Sequence, residues 1–99
     1  MIVVNAVVKT TPENIVALQG AISTMETASR EEAGCLDYTF SVELNDSAAV
    51  RITEKWQTLD DLKAHFETTH MAEFQAIMGA SPPESMEVHF YEVNEISPF

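Results

Sequence analysis

Residues 36–44 read LDYTFSVEL and alternate strictly between apolar and polar side chains. Because successive side chains of a β-strand point to opposite faces of a sheet, this alternation predicts a strand with one buried face. Residues 45–47, NDS, have the composition of a turn, and alternation resumes over residues 50–57. The sequence therefore predicts a β-hairpin, from which the rest of the fold is inferred outward.

The segment before the hairpin predicts a strand followed by a helix. Residues 2–8 are almost continuously apolar, which is typical of a strand covered on both faces. Thr11 can cap a helix whose first residue is Pro12, and apolar residues then recur at spacings of three and four. We expect this helix to run from Pro12 to about Glu32 and to stop at Gly34, because glycine accepts the left-handed conformation that ends many helices.

The segment after the hairpin predicts helix and then strand. Thr58 begins a capping-box pattern, and apolar residues continue at helical spacing as far as Gly79. Thr68 and Thr69 interrupt this pattern, so it fits either one bent helix or two short ones. Residues 86–96 are the last predicted strand, with apolar residues in both phases.

The resulting order is β-α-β-β-α-β within a single domain over residues 1–99, which is the ferredoxin-like α+β fold with an antiparallel sheet. In this topology both helices cover one face of the sheet, and the other face is bare. The first and last strands are nevertheless apolar in both phases. We therefore expect a second copy of the chain to cover the bare face, as a symmetric homodimer packed sheet to sheet.

The composition excludes several classes of partner. The chain of 99 residues has 5 Lys and Arg against 16 Asp and Glu, and its formal net charge of −11 repels phosphate backbones and anionic lipids. We expect neither nucleic acid nor a membrane as partner. The single Cys35 cannot form an internal disulfide, and no basic leader or apolar membrane span is present. A cytoplasmic protein is expected.

The histidines do not predict a metal site. On one continuous helix His65 and His70 would lie about 140° apart, which is too far for a metal-binding pair. If Thr69 instead begins a new helix, His70 lies in its first turn and can act as a base or hydrogen-bond partner. The alternative for each is a solvated helix residue. Nucleotide and serine-hydrolase chemistry is not expected either, because the glycines are isolated and no Gly-x-Ser-x-Gly occurs.

Glu54 is the most unusual polar residue, because it falls between Ile52 and Trp56 on the apolar face of its strand. A carboxylate there must find hydrogen-bond donors or keep its proton. The candidate donors are Tyr38 on the neighbouring strand and a histidine of the second helical stretch. The alternative is a structural network that fixes the helix to the sheet.

Two further polar residues are ambiguous. Asn5 lies within the apolar first strand, where its amide can donate and accept hydrogen bonds, or it lies at the sheet edge. Cys35 has no base beside it in the sequence, so we expect a buried structural thiol rather than a nucleophile.

Three stretches together resemble the antibiotic biosynthesis monooxygenase family, which includes quinol monooxygenases. Residues 31–38 (EEAGCLDY) are similar to the segment that enters the family's second strand, and residues 54–56 (EKW) are similar to the end of its third. Residues 64–71 (AHFETTHM) are similar to its helix segment with two histidines. Ala33 and Thr69 stand where the family usually has proline. The resemblance implies a dimeric α+β barrel.

The resemblance also implies an oxygenase that uses O₂ on a small phenolic or quinol-like aromatic, without metal, flavin or other cofactor. His70 or His65 would be the base, Asn5 and Tyr38 would hydrogen-bond the substrate oxyanion, and Glu54 would orient a histidine. Such a reaction needs a dry pocket between sheet and helices. The expected pocket residues are Trp56, Phe66, Phe74 and Met78.

Other functions fit parts of the sequence. A small-molecule-binding dimer without turnover would use the same pocket. An isomerase of a phosphorylated sugar ranks third, because phosphate needs cations and the chain has only 5 Lys and Arg. The haem-degrading relatives are a poor match, because Gln75 stands near the position of their axial histidine.

Overall fold

The computed structural model describes residues 1–99, which form four strands and three helices. In chain order the elements are β1 (Ile2–Lys9), α1 (Pro12–Arg30), β2 (Cys35–Glu43), β3 (Asp46–Trp56), α2 (Leu59–Phe66), α3 (Thr69–Ala80) and β4 (Ser85–Glu92). The strands form one sheet in the order β2-β3-β1-β4, and all neighbours are antiparallel. The predicted ferredoxin-like α+β fold is thus confirmed, with the second helical stretch divided in two.

Helix α1 begins as predicted and ends slightly earlier. The Thr11 side chain accepts a hydrogen bond from the backbone N–H of Asn14 at 3.1 Å, and Pro12 is the first helical residue. The helix ends at Arg30, and Gly34 takes a φ of +78° before β2 begins. The Arg30 side chain donates to the carbonyl of Tyr38 at 2.9 Å, which ties the end of α1 to β2.

The break between α2 and α3 has a local cause in Thr68. Its hydroxyl donates to the carbonyl of His65 at 2.8 Å and accepts from the backbone N–H of Met71 at 3.3 Å. One side chain thus ends α2 and caps α3. Of the two alternatives for this stretch, the structure has two short helices.

The helices cover one face of the sheet. Alternate residues of β1 are buried beneath them, from Ile2 to Val8, and they pack with residues of β3 such as Ile52 and Trp56. The other phase of β1 is half-buried or exposed, so within one chain this strand is covered on one face only, not on both as predicted. None of the three helices combines the length and the apolar character that a membrane crossing requires.

Two strand boundaries differ from the prediction. The hairpin turn consists of Leu44 and Asn45, and Leu44 is exposed rather than part of the buried face. Strand β4 ends at Glu92 rather than at Ile96, because the ladder with β1 ends at the pair Ile2 and Glu92.

We expect Gly34→Ala to lower the free energy of unfolding by about 2 kcal/mol or more, since a left-handed conformation alone costs an L-residue about 1–2 kcal/mol. A Cβ atom at this position would also collide with the Asp61 side chain. The matched control is Gly20→Ala inside α1, where a Cβ atom would meet nothing within 4 Å. Its helix propensity should raise stability by about 0.5–1 kcal/mol. Urea unfolding followed by circular dichroism measures both, and equal effects of the two variants would contradict the prediction.

Candidate functional site

A cavity of about 550 Å³ lies between the helix-facing side of the sheet and helices α1 and α3. Of its 24 lining residues, 17 are hydrophobic. Phe66, Phe74 and Met78, three of the expected pocket residues, are among them. The only ionisable side chains in the lining are Glu54 and Tyr38, so the chemistry of the cavity depends on these two groups.

Glu54 reaches the cavity from the centre of the sheet. It lies on β3 between Tyr38 of β2 and Val4 of β1 in the register of the sheet. Its Oε1 accepts a hydrogen bond from Nε1–H of Trp56 at 3.0 Å. Burial raises the pKa of the Glu54 carboxyl above its ordinary value, and the nearby Glu32 adds to the rise. The hydrogen bond from Trp56 and the imidazole of His65 oppose this rise in pKa without cancelling it.

Tyr38 is the second ionisable group of the cavity, and it keeps its proton. The residue is 3% exposed. Burial, with a further contribution from Glu54, raises the pKa of its phenol well above the ordinary value. Its hydroxyl can therefore donate a hydrogen bond at any physiological pH.

Trp56 supports the cavity without lining it. Its side chain is fully buried in the core. The indole lies against the rings of His65 and Tyr38, with centroid separations of 4.8 and 6.4 Å. Trp56 therefore holds the Glu54 carboxylate in place through its hydrogen bond. The expectation that Trp56 lines the pocket is wrong.

Glu32, His65 and His70 form a separate polar cluster, which contacts the Trp56 indole through the His65 ring. Oε2 of Glu32 is 2.6 Å from Nδ1 of His65 and 2.8 Å from Nε2 of His70. His65 is fully buried, whereas the side chains of Glu32 and His70 are 14% and 20% exposed. Because α2 ends before α3 begins, the two histidines are not about 140° apart on one helix. They converge on one carboxylate.

The two contacts determine which histidine nitrogens donate when Glu32 is a carboxylate. An ionised carboxylate can only accept hydrogen bonds, so both histidine nitrogens must donate to Glu32. When its imidazole is neutral, His65 then carries its proton on Nδ1 and has a free lone pair on Nε2. That Nε2 atom is buried and has no hydrogen-bond partner.

The carboxylate that orients the histidines is Glu32, and not Glu54 as predicted. Glu54 hydrogen-bonds Trp56 instead, and neither His65 nor His70 lines the cavity. The sequence places Glu32 at the predicted end of a helix, where an acidic residue needs no explanation. The signal that could have identified it is its position in residues 31–38, one of the stretches that carry the family resemblance.

Asn5 lies on the other side of the sheet. Its neighbours Val4 and Ala6 line the cavity, so the period of two in a strand directs Asn5 to the opposite, bare face. Its side chain is exposed there, between Thr53 and His89 of the adjacent strands. The expectation that Asn5 hydrogen-bonds a substrate in the helix-covered pocket is therefore wrong.

Cys35 is half-buried at the start of β2. Burial, with a contribution from Glu32, raises the pKa of its thiol to about 11. At neutral pH almost no thiolate is present, so Cys35 is a poor nucleophile. Cys35 is thus less buried than the sequence led us to expect, and its raised pKa agrees with the expectation that it is not a nucleophile.

Solved structures share this fold over nearly their whole length. A protein from Deinococcus radiodurans matches with a TM-score of 0.90 and 21% identity, covering 100% of this chain and 98% of that chain. Rv0793 from Mycobacterium tuberculosis matches with a TM-score of 0.84 and 22% identity, covering 97% and 98%. An antibiotic biosynthesis monooxygenase matches with a TM-score of 0.85 and 22% identity, covering 96% and 100%.

At these identities the structural matches establish the fold alone. No curated protein matches the chain. The family model described as antibiotic biosynthesis monooxygenase matches residues 1–77, which hold β1 to α2 and most of α3. The matched range includes Glu54, Tyr38 and all three residues of the Glu32–His65–His70 cluster. The chain therefore belongs to the antibiotic biosynthesis monooxygenase family.

Proposed function

We propose that the protein is a cofactor-independent monooxygenase that oxidises a small phenolic or quinol-like aromatic with O₂. The observation that carries this proposal is one carboxylate, Glu54, held in a largely apolar cavity beside a protonated tyrosine. Such a pair can remove a proton from a phenol and then bind the anion that results.

The aromatic residues in the lining of the cavity favour a planar aromatic molecule. Phe66 and Phe90 are about half exposed and meet edge to face, with ring centroids 6.4 Å apart. Both belong to the cavity lining, as does Phe74, whose ring packs against Phe40 at 5.7 Å. Aromatic side chains in these arrangements offer both ring faces and ring edges to an aromatic ligand.

The reaction begins with a proton transfer. The carboxylate of Glu54 takes the phenolic proton of the substrate, and its raised pKa makes it a stronger base than an exposed glutamate. The hydrogen bond from Trp56 keeps the carboxylate directed while it exchanges the proton. Tyr38 donates its own hydrogen bond to the phenolate oxygen. In this assignment Glu54 replaces His65 and His70 as the base, because neither histidine lines the cavity.

The remaining steps need no cofactor. The electron-rich phenolate gives one electron to O₂, and the two radicals combine into a carbon–oxygen bond. The peroxide takes the proton held by Glu54. The ring carbon that carries the resulting hydroperoxide then loses its hydrogen as a proton while the O–O bond breaks, and the departing hydroxide takes up a proton to leave as water, so that a quinone carbonyl remains. One O₂ is consumed, one oxygen atom enters the product and the other leaves as water, so no external reductant is required. The apolar walls exclude bulk water from the intermediate.

A binding protein without turnover would use the same cavity, and the assay below separates it from an enzyme. The sugar-phosphate isomerase has no support in the cavity, whose lining contains neither Lys nor Arg. A phosphate group there would face the carboxylate of Glu54 without a compensating cation.

We also propose that two chains pair through the bare face of the sheet. On this face Val3 of β1 lies opposite Tyr91 of β4, and the Tyr91 ring is 48% exposed and stacks on His89. Val7 of the same strand is half-buried. These residues would become fully buried against a second copy of the same face.

The first prediction concerns activity. Protein treated with a chelator should consume O₂ with simple hydroquinones or naphthols, and Glu54→Gln should lower kcat/KM by about 100-fold or more. Glu13→Gln, an exposed residue in the first turn of α1, is the control and should keep the full rate. Full activity of Glu54→Gln would remove Glu54 as the base. Saturable binding of these aromatics without O₂ consumption would favour the binding protein.

The raised pKa of Glu54 predicts a pH dependence of stability. The carboxyl of Glu54 stays protonated to a higher pH in the folded chain than in the unfolded chain. The contribution of Glu54 to the free energy of unfolding therefore falls as the pH rises from the ordinary pKa of 4.5 through the raised pKa of the folded state. Glu54→Gln keeps the shape and removes this step. Urea unfolding at intervals from pH 4.5 to pH 8 should therefore show the wild type losing stability relative to the variant as the pH rises. A relative gain by the wild type would contradict the prediction.

The proposed dimer predicts a sedimentation coefficient above that of a monomer at micromolar concentration. Interfaces of this kind typically bury about 2,000 Å² or more in total. Because each copy carries a net charge of −11, added salt should tighten the dimer by screening. Tyr91→Glu places a further charge in the interface and should shift the equilibrium to monomer. A stable folded monomer of the wild type would overturn this part of the proposal.

A further inference from the structure

We propose that Glu32, His65 and His70 form a binding site for one divalent transition-metal ion of the Zn²⁺ class. The three side chains come from three parts of the chain, the loop after α1 and the helices α2 and α3. Their ligand atoms all lie within 4.8 Å of one another. None of the three lines the 550 Å³ cavity, so the site is separate from the proposed oxidation chemistry.

The donor set determines the class of ion. Two imidazole nitrogens and one carboxylate oxygen suit Zn²⁺ and its neighbours, whereas Ca²⁺ and Mg²⁺ prefer oxygen ligands throughout. Three protein ligands leave one position of a tetrahedral ion for water. A site of this kind is open rather than closed.

The distances require a small adjustment on binding. Ligands at about 2.0–2.1 Å from Zn²⁺ in a tetrahedron lie about 3.3 Å apart. The Glu32 oxygen is now 2.6 and 2.8 Å from the two nitrogens, as hydrogen bonds require. The ion would replace the hydrogen atoms between these atoms, so the carboxylate has to move back by about half an ångström, and the two imidazole nitrogens, which lie within 4.8 Å of one another, have to approach to about 3.3 Å. Glu32 and His70 are partly exposed and can make this movement, whereas His65 is held in the core.

An ion can reach the site from solvent. A separate cavity of about 290 Å³ lies between α1 and α3, and the residues that line it include His70, Glu73 and Thr24. Glu73 lines the same cavity as His70, and the whole chain carries a charge of −11. Both features raise the local concentration of cations.

Binding would leave a signature on His65. In the hydrogen-bonded cluster its proton is on Nδ1, and a metal ion on Nδ1 forces that proton to Nε2. Nonspecific binding of Zn²⁺ at surface residues would not move this proton, because the ring is fully buried.

The experiment uses the full chain after chelator treatment, titrated with Zn²⁺ and no substrate. We expect one ion per chain, a rise in Tm with Zn²⁺ concentration, and transfer of the His65 proton from Nδ1 to Nε2 in long-range ¹H–¹⁵N NMR spectra. His70→Ala, which removes a partly exposed ligand, should weaken binding by about 100-fold or more. His89→Ala, on the bare face of the sheet, is the matched control and should bind as the wild type does.

Two results would overturn the proposal. One is binding that His70→Ala and His89→Ala leave equally strong, and the other is a wild-type His65 that keeps its Nδ1 proton at saturating Zn²⁺. The second readout uses the unmodified protein, so it stands even if a variant fails to fold. Neither result bears on the oxidation proposed for the large cavity, which is assayed in chelator-treated protein.

Discussion

The hydrogen bonds from His65 and His70 to the carboxylate of Glu32 are the interaction on which the rest of this structure depends. His65 is fully buried, and a polar ring in that position is stable only when it is partnered. Glu32 supplies the partner and at the same time connects the end of α1 to α2 and α3. Removal of one member of a buried ionic contact typically costs about 3–5 kcal/mol. The position of both short helices over the sheet therefore depends on one carboxylate.

The position of His65 also affects the large cavity, because the rings of His65 and Trp56 connect Glu32 to Glu54. The His65 ring, held by Glu32, lies against Trp56, and Trp56 in turn donates to Glu54. Glu32 and Glu54 are thus two carboxylates with different environments on opposite sides of a layer of buried rings. Glu32 has two donors and partial exposure, whereas Glu54 has one donor and an apolar cavity that raises its pKa. The two environments suit different roles. Glu32, with two donors, is suited to holding the histidines in place, and Glu54, with a raised pKa, is suited to exchanging a proton.

The sequence could predict those features that depend on neighbours along the chain. Strict alternation identified β2, and Thr11 and Thr58 were identified as helix caps because a cap is a local hydrogen bond. The face of Asn5 could not be predicted, because a strand that is apolar in both phases carries no information about which phase faces the helices. The partners of Glu32 lie 33 and 38 residues away, and no periodic pattern connects residues on different elements. The alternation shows the unusual position of Glu54 and places Trp56 on the same face, but it does not indicate that the Trp56 indole donates a hydrogen bond to Glu54.

The protonation of His65 in the metal-free protein tests the central claim most directly. If Glu32 accepts hydrogen bonds from both histidines, long-range ¹H–¹⁵N correlations at neutral pH will find the His65 proton on Nδ1 and an unprotonated Nε2. The buried Nδ1 proton should also exchange slowly with solvent, and Glu32→Gln should change its chemical shift. A His65 ring that carries its proton on Nε2, with spectra unaffected by Glu32→Gln, would contradict the account.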